Sequence, residues 1–459
     1  MEVEENMNII IALLVFTVII VLHELGHFLL AKKNGVGVIE FSIGMGPRLI
    51  TLVKTVQGMT CKLLANSNYC ENREDWQGKT KYSWKLLPIG GSCMMTGEDE
   101  VNEDPDSFQK AGIWGKISII AAGPIFNFIS AFIFALILIA NIGYNPSEIT
   151  FVKEGSPAEE AGLQVGDRIT EIDGDSISIG KDFGVYFDLH VVGDDPLHIK
   201  YVTAKGEEKE VDVNPNYSYY RLGYNYQDTK EAGKGVAISV IEKGSPMDLA
   251  GVKKGDIITK FNDVTIKNTK DMEEYLKKYP LTENEVSITL QTDKETKNIT
   301  LKPIYGTKKS LQIVMGKYEK GNVLQVIRYG ASEIRFWVES TVKSLGMMIR
   351  GKVSKDDVSG VVGIVDMIGN TVDASKTVST TLLNLLNIAI LLSANLGVMN
   401  LIPFPALDGG RLVFLFIELF RGKPIDQEKE GMVHLVGIVL LMALMIFVTY
   451  NDIARIIGG

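Results

Sequence analysis

Four long apolar runs constrain this 459-residue chain more than any other feature. Each run is long enough to cross the roughly 30 Å hydrocarbon core of a bilayer as a helix. Backbone groups at that depth must be hydrogen-bonded internally, so helices are expected there. We therefore predict a multi-pass membrane protein with four transmembrane helices. The runs are residues 8–31, 117–142, 382–402 and 432–450.

The first run is predicted to remain in the protein as a helix. The residues before it, MEVEEN, are acidic, whereas a cleaved signal peptide begins with a positive region. By the positive-inside rule, basic segments beside the runs are cytoplasmic, so both termini and residues 145–322 are expected outside. The basic residues are Lys32, Lys33, Lys110, Lys116, Arg411, Arg421, Lys423 and Lys429.

Three ionisable residues interrupt the first run at HELGH, residues 23–27. Charged groups at membrane depth cost roughly 2.5 to 3.5 kcal/mol on insertion scales, so they usually have a function. Helical residues are about 100° apart, which places His23, Glu24 and His27 on one face. The two imidazoles can chelate Zn²⁺, and the glutamate can act as a general base. The alternative is a chance match with hydrogen-bonded histidines, against which the apolar surroundings argue.

A catalytic zinc takes three protein ligands, so a third must be found. The third run ends in NLIPFPALDGG, residues 400–410. Pro403 and Pro405 cannot continue a helix, so the chain is predicted to open here and to be buried against other helices. Asp408 is the carboxylate that this segment would bring to the metal. Its alternative is an aspartate in a turn or at a helix N-cap.

HELGH together with NLIPFPALDGG resembles the motifs of the site-2 proteases, zinc metalloproteases that cut within membranes. The resemblance extends along almost the whole chain, and four spans with two PDZ-like modules resemble the bacterial RseP type. Met45, Val361 and SCMM at 92–95 depart from the family pattern, which leaves substrate preference open. The further matching segments are FSIGMGP at 41–47, LPIGG at 87–91, AGPIFN at 122–127 and SGVVGI at 359–364.

The resemblance implies a zinc cofactor held by His23, His27 and Asp408, with Glu24 as the general base. Zinc would lower the pKa of water and polarise the scissile carbonyl.

The resemblance also implies residues that contact substrate. Asn400 and Pro403 would do so in the third run, and Gly90 and Gly91 in a β-loop that dips into the membrane. An extended substrate segment could bind there by β-addition. Asn127 is expected near the site, with a helix-packing amide as the alternative.

The block between the second and third runs contains an internal repeat. GSPAEEAGLQVGDRITEIDGDSI begins at 155 and GSPMDLAGVKKGDIITKFNDVTI begins at 244, a spacing of 89 residues. That spacing suits one compact module per copy. Both copies resemble PDZ domains, which bind extended peptides along a sheet edge. The family resemblance implies a filter against substrates with large outer domains; peptide capture and an inert spacer are the alternatives.

Several further features are predicted from local pattern. Residues 323–350 mix apolar and charged positions at helical spacing, which predicts a helix on the outer membrane surface. His434 is expected to be interfacial, not a ligand. A polar insert at 66–78 lengthens the cytoplasmic segment. Three cysteines without CxxC spacing argue against a disulfide framework or a metal cluster, and a net charge of −9 without a basic patch argues against nucleic acid.

We predict an α-helical membrane fold of four transmembrane helices, a membrane-associated β-hairpin or sheet region, and two extracytoplasmic PDZ-like α+β domains. The expected activity is cleavage within or near the transmembrane segment of single-span membrane proteins, such as anti-sigma factor or signal-peptide remnants. The rivals are a catalytically silent PDZ-bearing scaffold and a zinc protease with a soluble-facing site. The expected segments are 1–35, first span; 36–112, β region; 113–143, second span; 144–232 and 233–322, PDZ-like domains; 323–380, amphipathic helix and SGVVGI; 381–414, third span; and 415–459, loop and fourth span.

Overall fold

Among the residues that the computed structural model describes, four helices are long and apolar enough to cross a membrane. They are Met7–Lys33, Ile113–Ile142, Val378–Leu401 and Glu428–Ala454, which confirms the four predicted spans. The structure describes residues 2–98, 104–190, 192–229, 233–292, 295–352 and 359–458.

The N-terminal part consists of two long helices separated by an antiparallel sheet. Apolar residues fill both helices, and alternating burial along the first strand indicates a sheet with one covered face. The elements are α1 Glu2–Lys33, β1 Val38–Thr55, β2 Gly58–Leu63, α2 Ser67–Glu71, β3 Lys81–Met95 and α3 Ile113–Ile142.

The sheet has the strand order β2-β1-β3. Residues 81–84 of β3 pair with β1 on both sides, so only the half of β3 from Gly91 onward lies at the edge. The 66–78 insert folds onto this sheet through Trp76, which is fully buried with Val53, Ala65 and Cys70. Trp76 Nε1 donates a hydrogen bond to Thr60 Oγ1 at 3.0 Å. The insert and the sheet therefore share a small core.

The middle of the chain contains two copies of one sequence of elements. In each copy a serine caps a one-turn helix: Ser156 accepts from the Glu159 N–H, and Ser245 from the Asp248 N–H. Corresponding elements begin 89 residues apart, as at Arg168 and Ile257, which confirms the predicted repeat. The elements are β4 Ile149–Val152, α4 Pro157–Glu160, β5 Arg168–Ile172, β6 Asp175–Ser176, α5 Gly180–Leu189, β7 Leu197–Val202, β8 Glu208–Val213, β9 Asn216–Arg221, β10 Tyr224–Asp228, β11 Val236–Ile241, α6 Pro246–Leu249, β12 Ile257–Phe261, β13 Val264–Thr265, α7 Thr269–Lys278, β14 Val286–Gln291, β15 Thr296–Leu301, β16 Ile304–Lys309 and β17 Ile313–Met315.

Strand pairing in this block does not follow the boundary expected at residue 232. The second copy has the sheet order β10-β11-β12-β14-β15, so β10 belongs to it although it precedes the boundary. Strands β16 and β17 pair with β9 and β4. The repeat marks only the shared core of each copy, and the flanking strands carry no repeat. Residues 147–177 and 190–316 form one compact unit, and the rest of the chain, including α5, forms the other.

Five helices follow among the described residues after 322. The predicted break after the third span is present, because one helix ends at Leu401 and the next begins at Asp408. The SGVVGI segment, residues 359–364, contains the first residues of the helix Val361–Ala374. The elements are α8 Val323–Ile349, α9 Val361–Ala374, α10 Val378–Leu401, α11 Asp408–Arg421 and α12 Gln427–Gly458.

Close helix packing builds the membrane-length core. Ala131 and Ala135 of α3 pack against Ile390 and Ala394 of α10. The predicted helix at 323–350 forms as α8, and Trp337 packs on the same cluster. Small side chains at such contacts let helices approach closely.

Helices α1 and α3 approach at the HELGH segment. A Cβ on Gly26 would lie 2.4 Å from the Ala122 carbonyl oxygen, closer than real side chains are found. Glycine here allows the histidine face of α1 to lie directly against α3.

Candidate metal centre

Two histidines and an aspartate converge where α1 meets the turn before α11. His23 and His27 are each 7% exposed, and their Nε2 atoms are 3.2 Å apart. Asp408 Oδ2 lies 3.2 Å from His23 Nε2 and 3.5 Å from His27 Nε2. The structure thus brings together the three residues expected to bind the metal, and they form its only group of three such ligand types within the described residues.

The spacing of these three atoms fits a tetrahedral zinc ion. Ligands bound at about 2.05 Å on a tetrahedron lie roughly 3.3 Å apart, close to the separations found here. Asp408 Oδ2 is buried and accepts no hydrogen bond from the described residues. A buried carboxylate oxygen without a donor is costly unless a cation compensates it. The donor set and geometry therefore fit Zn²⁺.

The outer nitrogens of the two imidazoles are held by α3. His27 Nδ1 lies 2.9 Å from the Ile119 carbonyl oxygen, which can only accept, so the Nδ1 proton points there. The lone pair of His27 Nε2 is then directed at the cluster. His23 Nδ1 lies 3.0 Å from Asn127 Nδ2, and Asn127 is fully buried. Asn127, expected near the site, therefore contacts a histidine of the cluster directly.

A glycine of α3 makes room for the imidazoles. A Cβ on Gly123 would lie 2.3 Å from His27 Nε2 and 2.6 Å from His23 Cε1. The AGPIFN segment thus supplies both a small residue under the cluster and the amide beside it. The motif predicts Asn127 near the site but gives no sign of the role of Gly123.

The broken end of the third span positions Asp408. After Pro403 the chain turns, with Phe404 N–H donating to the Ile402 carbonyl and Leu407 N–H to that of Phe404. The first turn of α11 then packs on the end of α10, where a Cβ on Gly409 would lie 2.2 Å from the Ile402 carbonyl oxygen. The glycine after Asp408 is therefore required by backbone contact.

Strand β3 holds the glutamate of HELGH. The Cys93 N–H donates to Glu24 Oε2 at 2.9 Å. Burial, with a smaller effect of the Glu24 carboxylate, raises the pKa of the Cys93 thiol to about 12. Cys93 therefore contributes its backbone N–H here, and its side chain stays protonated.

The residues expected to contact substrate surround this edge and turn. A Cβ on Gly91 would lie 3.7 Å from Glu24 Cγ, so this part of β3 runs beside the carboxylate. Gly90 has a φ of +73°, a conformation that favours glycine. Asn400 is half-buried in the last turn of α10, and Pro403 is exposed just after it.

Sequence reasoning missed His434 of α12. Its Nδ1 accepts a hydrogen bond from the Ala406 N–H at 2.9 Å, in the turn that leads to Asp408. An isolated histidine at the start of an apolar run gives no sign of a backbone partner. His434 lies outside the three-residue cluster of the described residues.

Known proteins resemble this chain over most of its length. The model of peptidase family M50 matches residues 11–77 and 72–444. The zinc metalloprotease RasP of Bacillus licheniformis is 31% identical over 464 residues, covering 98% of this chain and all of the relative. The regulator of sigma-W protease RasP of Bacillus subtilis is 30% identical over 466 residues, covering 98% and 99%.

Among solved structures, the HtrA3 PDZ domain bound to a phage-derived ligand matches 20% of this chain and 91% of its own length. That match has 17% identity and a TM-score of 0.18. The family match and the full-length relatives identify the activity and its metal. The chain belongs to peptidase family M50, and it is a zinc metalloprotease of the site-2 type.

Proposed function

We propose that this protease cleaves peptide bonds within or near the transmembrane segment of single-span membrane proteins. The carrying observation is the position of the cluster. His23 and His27 lie inside the membrane-length helix Met7–Lys33, and Asp408 follows closely on the helix Val378–Leu401. A scissile bond that reaches these residues must come to the depth of the spans.

His23 Nε2, His27 Nε2 and Asp408 Oδ2 would hold the zinc. When bound, zinc supplies a Lewis acid that activates water and polarises a carbonyl. Glu24 is the general base: its carboxylate accepts a proton from the attacking water and later delivers that proton to the leaving amine. The Cys93 N–H fixes one carboxylate oxygen of Glu24, which limits the positions of the other.

Asn127 selects the required form of His23. A metal-binding Nε2 needs its proton on Nδ1, and an amide oxygen must then accept that proton. Asn127 Oδ1 is buried without a hydrogen-bond partner in the described part of the chain. A half-turn of the amide would place this oxygen on His23 Nδ1 and satisfy both groups.

Strand β3 is the proposed docking edge for substrate. A transmembrane helix hides its carbonyls in its own hydrogen bonds, so a segment must unwind before cleavage. The half of β3 from Gly91 onward pairs with β1 on one side only, and on its other side the Cys93 N–H contacts Glu24. Added as a further strand beside Gly90 and Gly91, the substrate would pass the carboxylate in extended form. Asn400, in the last turn of α10, and Pro403, just after that helix, would also contact the substrate.

The two repeated modules are proposed to be PDZ-like and to act as a size filter. Their shared element order supports a common fold, and specific peptide capture is the second reading of the same modules. The basic residues beside the spans favour a cytoplasmic side for the metal centre and an outer side for the modules. The Bacillus subtilis relative is named a regulator of sigma-W protease, so membrane-anchored anti-sigma factors are candidate substrates.

Two experiments test these proposals on the full-length protein. Zinc per chain should fall from one to near zero in His23→Ala and in Asp408→Asn. It should stay at one in the control His198→Ala, because His198 pairs with Asp212 and is not part of the cluster. Retained zinc in Asp408→Asn would overturn the ligand assignment.

Cleavage should also be measured on one span carrying outer domains of increasing size. If the modules act as a size filter, cleavage should fall as the outer domain of the substrate becomes larger, whatever the sequence of that domain. Cleavage that follows a peptide sequence instead would favour capture.

A further inference from the structure

A histidine of the fourth span contacts the turn that carries Asp408. His434 Nδ1 accepts the Ala406 N–H at 2.9 Å, two residues before the aspartate. Because Nδ1 accepts, the imidazole proton is on Nε2, which lies 3.8 Å from Glu430 Oε1 on the same helix. The 3.8 Å separation is too long for a hydrogen bond, so the contact that orients the imidazole is the one between Nδ1 and the Ala406 N–H.

The backbone that His434 contacts is strained. Ala406 has a φ of +79°, in the left-handed region that non-glycine residues rarely adopt. Such a conformation persists only where surrounding contacts impose it. The residues after Ala406 start α11, so its φ sets the direction in which Asp408 leaves the turn.

Helix α12 reaches this turn at a second point. A Cβ on Gly437, about one helical turn beyond His434, would lie 2.4 Å from the Pro405 carbonyl oxygen. Only 6% of the residues in the most apolar stretch of this span are buried, against 28% to 33% in the other three spans. Although α12 packs so little, His434 contacts Ala406 and Gly437 lies against Pro405, two consecutive residues of the turn.

We propose that His434 is a positioning residue for Asp408. By accepting the Ala406 N–H it holds the left-handed turn and thereby fixes the carboxylate against His23 and His27. The inference rests on the proposed role of Asp408 as a zinc ligand. It gives the fourth span a part in building the metal centre without contact to the metal.

The test compares two amide replacements of the imidazole. Asn Oδ1 can occupy the place of Nδ1, whereas the Gln amide extends to the place of Nε2. The zinc affinity of full-length protein in detergent is measured by titration with a chelator, beside kcat and KM on a single-span substrate. We expect His434→Leu and His434→Gln to weaken zinc about tenfold and to lower kcat, as outer-shell changes do. His434→Asn should retain most of both, and Met442→Leu, an exposed change on α12, serves as control.

A second variant separates this role from general packing. Glycine adopts a positive φ without penalty, so Ala406→Gly should reduce the effect of His434→Leu on zinc affinity severalfold. Equal losses in the Asn and Leu variants, or an unchanged effect in the Ala406→Gly background, would overturn the inference. Wild-type zinc affinity in His434→Leu would also overturn it, provided Asp408→Asn loses zinc. Retained zinc in Asp408→Asn would instead contradict the proposed function.

Discussion

The Cys93 backbone N–H donates to Glu24 Oε2 at 2.9 Å, and this bond joins strand β3 to Glu24 of α1, the proposed general base. On the proposed mechanism, a substrate that extended β3 would contact the strand that holds Glu24. Substrate binding and the position of the proposed base would then be coupled through the Cys93 peptide group.

Removing this donor should impair proton transfer without releasing zinc. Cys93→Pro deletes the N–H, and we expect kcat to fall about tenfold because the Glu24 carboxylate loses one of its fixed positions. Cys93→Ala keeps the N–H and should stay near wild type. Single-turnover cleavage with parallel zinc analysis measures both; a large loss in Cys93→Ala would point to the thiol instead.

Asn127 should affect metal affinity more than folding. We expect Asn127→Leu to lose about 10-fold to 100-fold in zinc affinity, since His23 would lack the partner that fixes its proton on Nδ1. Asn127→Asp keeps an acceptor oxygen and should lose less. Chelator titration measures the affinities, and equal affinity in wild type and Asn127→Leu would contradict the proposed contact.

A single methyl group on α3 should disturb the centre. In Gly123→Ala the new Cβ would overlap His27 Nε2, 2.3 Å away, so the imidazoles or the helices must shift. We expect loss of zinc and activity with helical content retained. Gly346→Ala on α8 is the matched control, because a Cβ there meets no atom within 4 Å.

Acid stability should depend on Glu40 of β1. Its buried carboxylate accepts from Arg48 Nε at 2.6 Å and lies 3.3 Å from Lys85 Nζ. Burial alone would raise the pKa of Glu40, but the hydrogen bonds from Arg48 and Ser83 and the charge of Lys85 outweigh burial and lower it below 4.5.

Because the folded pKa is lowered, the stabilisation is present above pH 4.5 and is lost as the pH falls through the folded value. We expect Glu40→Gln to lower the free energy of unfolding by about 2 kcal/mol near neutral pH. The difference should shrink on acidification. Thermal unfolding in detergent between pH 7 and pH 3 measures it, and a constant difference would exclude titration of Glu40 as the cause.

Features encoded within one segment were predictable from the sequence. Hydropathy located the spans, helical spacing placed His23, Glu24 and His27 on one face, and the prolines located the break before Asp408. The repeat predicted two equivalent modules. In each case the signal and the structure it specifies lie close together along the chain.

Features that depend on contacts between distant backbone groups were not predictable. A backbone N–H carries no signal in the sequence. The contact of the Cys93 N–H with Glu24 and that of the Ala406 N–H with His434 could therefore not be predicted. The backbone N–H that His434 accepts lies 28 residues earlier in the chain, in the turn before α11, so the residues next to His434 in the sequence give no sign of this contact. The pairing of β10 with β11 likewise lies outside the repeated segment.

The most direct test of intramembrane cleavage is to locate the cut by mass spectrometry. A single-span substrate with a short outer domain is incubated in detergent with zinc-loaded wild type and with Glu24→Gln. We predict cleavage within or near the span by the wild type, and zinc binding without cleavage by Glu24→Gln. Cleavage confined to the soluble part of the substrate, or equal cleavage by Glu24→Gln, would contradict the account.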